Sequence, residues 1–171
     1  MSPQGGSRPG ATGAHTTRGV PHGVTSLTPY VAVTDMAGAV DFYAEVLGAR
    51  VVELTNAGEA LVHAHLDLGD GHLHLEAAAP EHGLAAPPCD GADSLALGYY
   101  CEDVDAVLDR MQAAGGEVLA PAVDFASGDR FAALRDPFGI RWSVMSRVED
   151  LSESQSAERV AAWAVRGCAA E

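Results

Sequence analysis

Positive charge is scarce in this chain. Ten Lys and Arg residues stand against twenty-four Asp and Glu, a formal net charge of −14 over 171 residues. Phosphate backbones and anionic bilayers are held by clustered cations, so neither a nucleic acid nor a membrane is expected as partner. Long apolar runs are missing too, and nothing approaches the ~20 residues that span a bilayer. The opening "MSPQGGSRPGATGAHTTRG" has no apolar h-region, so no signal peptide is expected. Cysteine is sparse and odd in number. Cys89, Cys101 and Cys168 lie far apart, which suits reduced thiols in the cytoplasm and excludes a disulfide framework or a zinc ribbon. There is no HExxH pair and no CxxC motif.

What is present is an ordinary globular composition, 47% apolar, enough for one domain or two small repeated halves sharing a core. Residues 1–24 are rich in Gly, Ser, Thr and Pro without apolar periodicity, and a disordered tail is expected there. Leu27 to Thr34 reads as a strand, and Asp35 caps a helix on which Met36, Val40, Tyr43 and Leu47 share a face until Gly48 stops it. Three strands follow, "ARVVELT", "EALVHAHLDL" and "HLHLEA", the last two joined across "GDG". A Pro/Gly-rich linker covers 80–93.

Then the order restarts. "SLALGYYC" is a strand, "EDVDAVLDRMQAAGG" a capped helix, "EVLAP" a short strand, and "GDRFAALRDPFGIRWSVMS" a hairpin turning at "DPFG". Asp103 answers Asp35, Val104 answers Met36, Leu108 answers Val40 and Gly115 answers Gly48. Two copies of strand–helix–strand–strand–strand make an internal repeat, with modules at about 25–79 and 94–148 of a domain over 25–150. Residues 151–171 hold a capped C-terminal helix on which Val160, Trp163 and Arg166 share a face.

The two βαβββ modules, with "VTDMAGAVDFYAEVLGA" at the start and "GDRFAALRDPFGIRWSVMSRVEDLS" at the end, resemble the vicinal oxygen chelate superfamily (glyoxalases, dioxygenases and bleomycin-resistance proteins), in particular its PhnB-like subgroup. The resemblance implies an α+β fold in which tandem modules form a curved mixed sheet around a concave cavity. In metal-dependent members four strands each supply one His, Glu or Gln to a divalent cation. Carried over position by position, those sites fall on Thr28, His74, Ala96 and Ser143. Only His74 is a competent ligand, so no metal or other cofactor is expected. A site with shifted ligands, His65, His74 and Glu76, is the metal alternative.

Four histidines fall within twelve residues of "LVHAHLDLGDGHLHLEA". Strand alternation puts His63, His65, Asp67, His72, His74 and Glu76 on one face, with Ala64, Leu66, Leu73 and Leu75 on the other. The polar face is either the wet side of a sheet or, as the resemblance implies, a cavity lining. The same parity adds Tyr30, Tyr100, Arg141 and Ser143. Arg130 joins if the "DPFG" hairpin pairs Arg135 with Ile140, an arrangement that leaves Phe131 in the core. The expectation is a homodimeric, metal-independent protein that sequesters a small molecule, a natural product or antibiotic. The alternative is a lyase, isomerase or dioxygenase with a modified site, with His74 and Glu76 as the catalytic candidates.

Overall fold

The computed structural model describes residues 9–88 and 93–168, the side chains of 166–168 excepted. Cys89 and the side chains of Arg166 and Cys168 therefore lie outside the described residues. A small hairpin of β1 (Thr16–Thr17) and β2 (Val20–Pro21) comes first. It corrects the expectation of disorder through residue 24 for the part that is described. Arg18 and Gly19 both take positive φ, 50° and 84°, and close the two-residue turn.

The first module comprises β3 (Tyr30–Val33), α1 (Met36–Leu47), β4 (Arg50–Ala57), β5 (Ala60–Asp67) and β6 (His72–Ala77). The second repeats it with β7 (Leu97–Tyr100), α2 (Val104–Ala113), β8 (Glu117–Asp124), β9 (Asp129–Arg135) and β10 (Arg141–Arg147). Each module is one mixed four-stranded sheet, in the orders β3-β6-β5-β4 and β7-β10-β9-β8. In both, the first strand runs parallel to the last and the other pairs are antiparallel. The repeat read from the sequence is thus a repeat of topology.

Both helices begin on an aspartate. Asp35 Oδ1 accepts the Gly38 N–H at 3.0 Å and Asp103 Oδ1 accepts the Ala106 N–H at 3.0 Å, each satisfying a donor the first turn leaves open. Met36, Val40, Tyr43 and Leu47 are all buried. They join Ala64, Leu66, Leu73 and Leu75 from β5 and β6, and Val107, Met111, Leu134, Trp142 and Val144 from the second module, in one continuous core. Two bonds tie the modules at the helices: Arg110 Nε donates to the Val46 carbonyl at 2.9 Å, and the Tyr99 hydroxyl to the Leu47 carbonyl at 3.2 Å.

The C-terminal helix α3 (Glu153–Cys168) opens with a reciprocal cap, the Ser152 N–H on Gln155 Oε1 at 2.9 Å and the Gln155 N–H on Ser152 Oγ at 3.3 Å. It docks on the β8–β9 turn, where Trp163 meets Phe125 edge-on at 4.9 Å and Ser156 Oγ donates to the Ser127 carbonyl at 2.9 Å. No described helix is long and apolar enough to cross a membrane.

Candidate ligand-binding face

The β5–β6 hairpin pairs Asp67 with His72, His65 with His74 and His63 with Glu76. The turn is therefore centred on Gly69-Asp70, with Gly69 at φ 96° and the Leu68 N–H on the Gly71 carbonyl at 2.8 Å. All six polar residues share the face that parity assigns them, and Ala64, Leu66, Leu73 and Leu75 on the reverse are buried.

That face is not uniformly wet. His65 and His74 are only 7% and 9% exposed. They cover one another, ring on ring at 4.3 Å and 23°, and Tyr30 stacks on the other side of His74 at 4.4 Å. His63 Nε2 meets His74 Nδ1 at 2.8 Å, and His65 Nε2 meets His72 Nδ1 at 2.8 Å. In each pair one imidazole donates and the other accepts, so each bond is made with neutral rings or with one proton added, and is lost when both rings are charged. The His74 Nε2 atom is buried without a hydrogen-bond partner. Burial, then the neighbouring histidines, hold the His65 and His74 imidazoles below their ordinary value of 6.5.

Two cavities flank this cluster. The first, about 480 Å³, is lined by Leu27, the turn residues Asp70 and Gly71, His72, and Gly98 and Tyr100 of β7. The second, about 430 Å³, lies where Tyr30 and its strand neighbours meet the linker and the start of β10, including Arg141. Both fall within the ~300–1,000 Å³ typical of small-molecule sites. Glu76 is half-buried across from His63. Ser143 pairs with Gly98 and Ala133 in mid-sheet and lines neither cavity.

Arg130 belongs elsewhere. The "DPFG" turn pairs Arg135 with Arg141, one residue beyond the expected register. Asp136 Oδ1 accepts the N–H groups of Phe138 and Ile140, each at 2.9 Å, and Gly139 takes φ 87°, so the loop holds five residues. A slip of one exchanges the faces of β9. Arg130 moves to the helix side, where it grips Asp105 of α2 at 2.6 and 2.7 Å and Asp124 at 3.0 Å. Phe131, expected in the core, instead pairs with Met145 on the open face, and Arg135 joins Arg141 there. Arg130→Ala is expected to leave ligand affinity unchanged and to lower stability only slightly, as a denaturant melt and a binding titration on one sample would show.

Sequence reasoning missed Arg135 and its partner Asp93. Asp93 Oδ2 accepts from Arg135 at 2.8 Å and from Arg141 at 3.3 Å, while Arg135 also reaches Glu117 at 3.3 Å. The signal was the pair of arginines bracketing "DPFGI", legible only with the loop length known.

The donor set does not suit the superfamily's cation. Ala96 has no donor atom, and Thr28 Oγ1 is spent on the Thr25 hydroxyl and carbonyl at 2.9 and 3.0 Å. His74 directs Nδ1 at His63, not at an open centre. The shifted set fares no better: His65 and His74 stack instead of converging their nitrogens, and Glu76 stands opposite His63. Among the described residues, no group of three or more His, Cys, Asp or Glu side chains is arranged to hold a metal ion.

Paired βαβββ modules with an uncovered polar-aromatic face define the class. The chain belongs to the Glyoxalase/Bleomycin resistance protein/Dioxygenase superfamily, whose sequence model matches residues 15–144. An uncharacterized protein of Mycobacterium bovis is 29% identical over 131 residues, 74% of this chain and 86% of that protein. TioX from Micromonospora sp. ML1 superposes with a TM-score of 0.56 at 26% identity, covering 75% of this chain and 100% of TioX. The PhnB protein of Bacillus cereus shares the fold at 19% identity and a TM-score of 0.56, covering 71% of this chain and 99% of that one.

Proposed function

We propose that this chain is a metal-independent small-molecule-binding protein that sequesters a natural product or antibiotic. One observation carries the reading. Of the four positions where the superfamily's metal ligands fall, only His74 has a ligating side chain, and its ring is clamped between Tyr30 and His65 with Nδ1 on His63. What the face offers instead is stacking surface and imidazole nitrogens beside two cavities, which suits a polar-aromatic ligand. The superfamily's own description includes bleomycin resistance proteins, and the resemblance to drug-binding members supports the same reading. A homodimer in the cytoplasm belongs to the proposal: the dimer follows the superfamily resemblance, the compartment the sparse, widely spaced cysteines of the sequence.

The test is a titration of the purified protein, made without a His-tag, against aromatic and peptidic natural products, with sedimentation and metal analysis alongside. A dimer that binds a panel member equally well with and without a chelator is the expected result. A monomer that binds nothing overturns the proposal. So does stoichiometric metal that disappears in His74→Ala, which would instead support the lyase, isomerase or dioxygenase reading.

A further inference from the structure

The geometry points to the cavity between β3 and the linker as a site for a monoanionic ligand with a flat apolar body, its carboxylate held by Arg141. This rests on the small-molecule-binding reading and names the ligand's chemistry.

The chain carries a net charge of −14, and the cation of this cavity stands in a cluster of its own. Here two guanidiniums converge on one carboxylate, because Asp93 Oδ2 accepts from both Arg135 and Arg141. Arg135 is also held by Glu117, and its side chain is 10% exposed. Arg141 makes the longer contact with Asp93, 3.3 Å against 2.8 Å, and its side chain is 38% exposed. It is the arginine that lines the cavity. A guanidinium carries five N–H donors in a planar fork matched to a carboxylate, and the Asp93 contact uses Nη1 alone. The Asp93 carboxylate already shows which functional group this corner accepts.

The apolar part of the cavity is built as well. Tyr30 and Leu95 reach it with 59% and 61% of their surface exposed. The opposite wall is Pro87-Pro88, seated so closely on the β9–β10 turn that a Cβ at Gly139 would stand 2.8 Å from the Pro87 carbonyl oxygen. Two prolines in sequence stiffen that wall before any ligand arrives. A volume of about 430 Å³ admits a fused-ring body with a short acid arm. The charges of Arg135, Arg141, Asp93 and Glu117 sum to zero, so a ligand carboxylate competes with Asp93 for Arg141, and a polyanion is disfavoured.

The probes are pyrenebutyrate and its uncharged analogue pyrenebutanol, followed by fluorescence on the full chain. The expected result is tighter binding of the acid by about ten- to a hundredfold, the range of a charge-assisted contact. Arg141→Gln should bring the two affinities together while leaving the alcohol's unchanged. Asp93→Asn, which removes the resident carboxylate, should tighten the acid further, and a melt confirms that this variant is folded. Equal affinities in the wild type, or a preference that survives Arg141→Gln, overturn the assignment and leave small-molecule binding standing. Failure of both probes also overturns it, and the natural-product panel then decides separately whether the chain binds small molecules.

Discussion

Asp136→Ala lowers stability by about 4 kcal/mol and the melting temperature by roughly 10 °C, more than any other single polar truncation expected in this chain. The carboxylate is 3% exposed and makes four hydrogen bonds. Oδ2 accepts the Tyr43 hydroxyl at 2.6 Å and the Trp142 indole N–H at 2.8 Å, while Oδ1 accepts the backbone N–H groups of Phe138 and Ile140 at 2.9 Å each. Burial pushes the carboxyl above its ordinary value and the four donors pull it back. They also leave no lone pair on which a proton can sit without displacing a bond. Burial and the adjacent Asp136 charge raise the Tyr43 hydroxyl well above 10, so Tyr43 remains the donor.

Truncation strands all four donors at once. Tyr43 comes from α1 of the first module, and Trp142 from β10 of the second. The aromatic cluster around them, Phe42, Tyr43, Phe138 and Trp142 with centroids 5.3 to 6.0 Å apart, spans both modules. The loss is therefore felt at the joint and not only in the turn. Asp136→Asn should fall between the two, near 2 kcal/mol, because the amide keeps one acceptor while its NH₂ faces a donor. Thermal melts of the three proteins rank them. A wild-type-like Asp136→Ala would show that the Asp136 hydrogen bonds do not hold the modules together.

This residue also marks how far the sequence could be read. "DPFG" announces a turn, and nothing local tells that its aspartate reaches ninety-three positions back to Tyr43. The same long-range use of Asp136 lengthens the loop by one residue, and so misplaces Arg130, Phe131 and Arg135 when parity is counted from a shorter turn. Helix ends were legible because their causes are local, in Asp35, Gly48 and Asp103. The face of the histidine hairpin was legible for another reason: moving the two-residue turn by one position within "GDG" slides the pairing by two, and alternation has period two. The two cavities were not, since each is assembled from a linker or turn in one module and a strand in the other. The N-terminal hairpin escaped notice because two paired residues per strand carry no periodicity to detect.

The histidine cluster leads to the second large effect. Below about pH 6.5 the protein should lose stability steadily, at up to about 1.4 kcal/mol per pH unit for each proton that the unfolded chain binds and the folded one does not. His65 and His74 are the groups concerned, since burial lowers both below the ordinary 6.5. The unfolded chain takes up protons on these rings first, so the unfolded state carries more protons throughout the window below 6.5. Stability is complete above that value and declines as pH falls through it, until the folded rings are themselves charged. Structure gives that charging a further cost: two imidazoliums stacked at 4.3 Å repel, and the His63–His74 pair loses its shared hydrogen bond once both rings are protonated. Melting temperatures from pH 8 to pH 5 should therefore fall with acid in the wild type, and the slope should flatten in His65→Asn/His74→Asn. A slope unchanged in that double variant would assign the acid sensitivity to other groups. Because Tyr30 stacks on His74 and also lines the cavity next to Arg141, ligand bound against Tyr30 should shift the same pH profile. Loosening the His74 stack in acid withdraws the aromatic wall on which the ligand rests, so affinity and stability are expected to fall together over one pH interval.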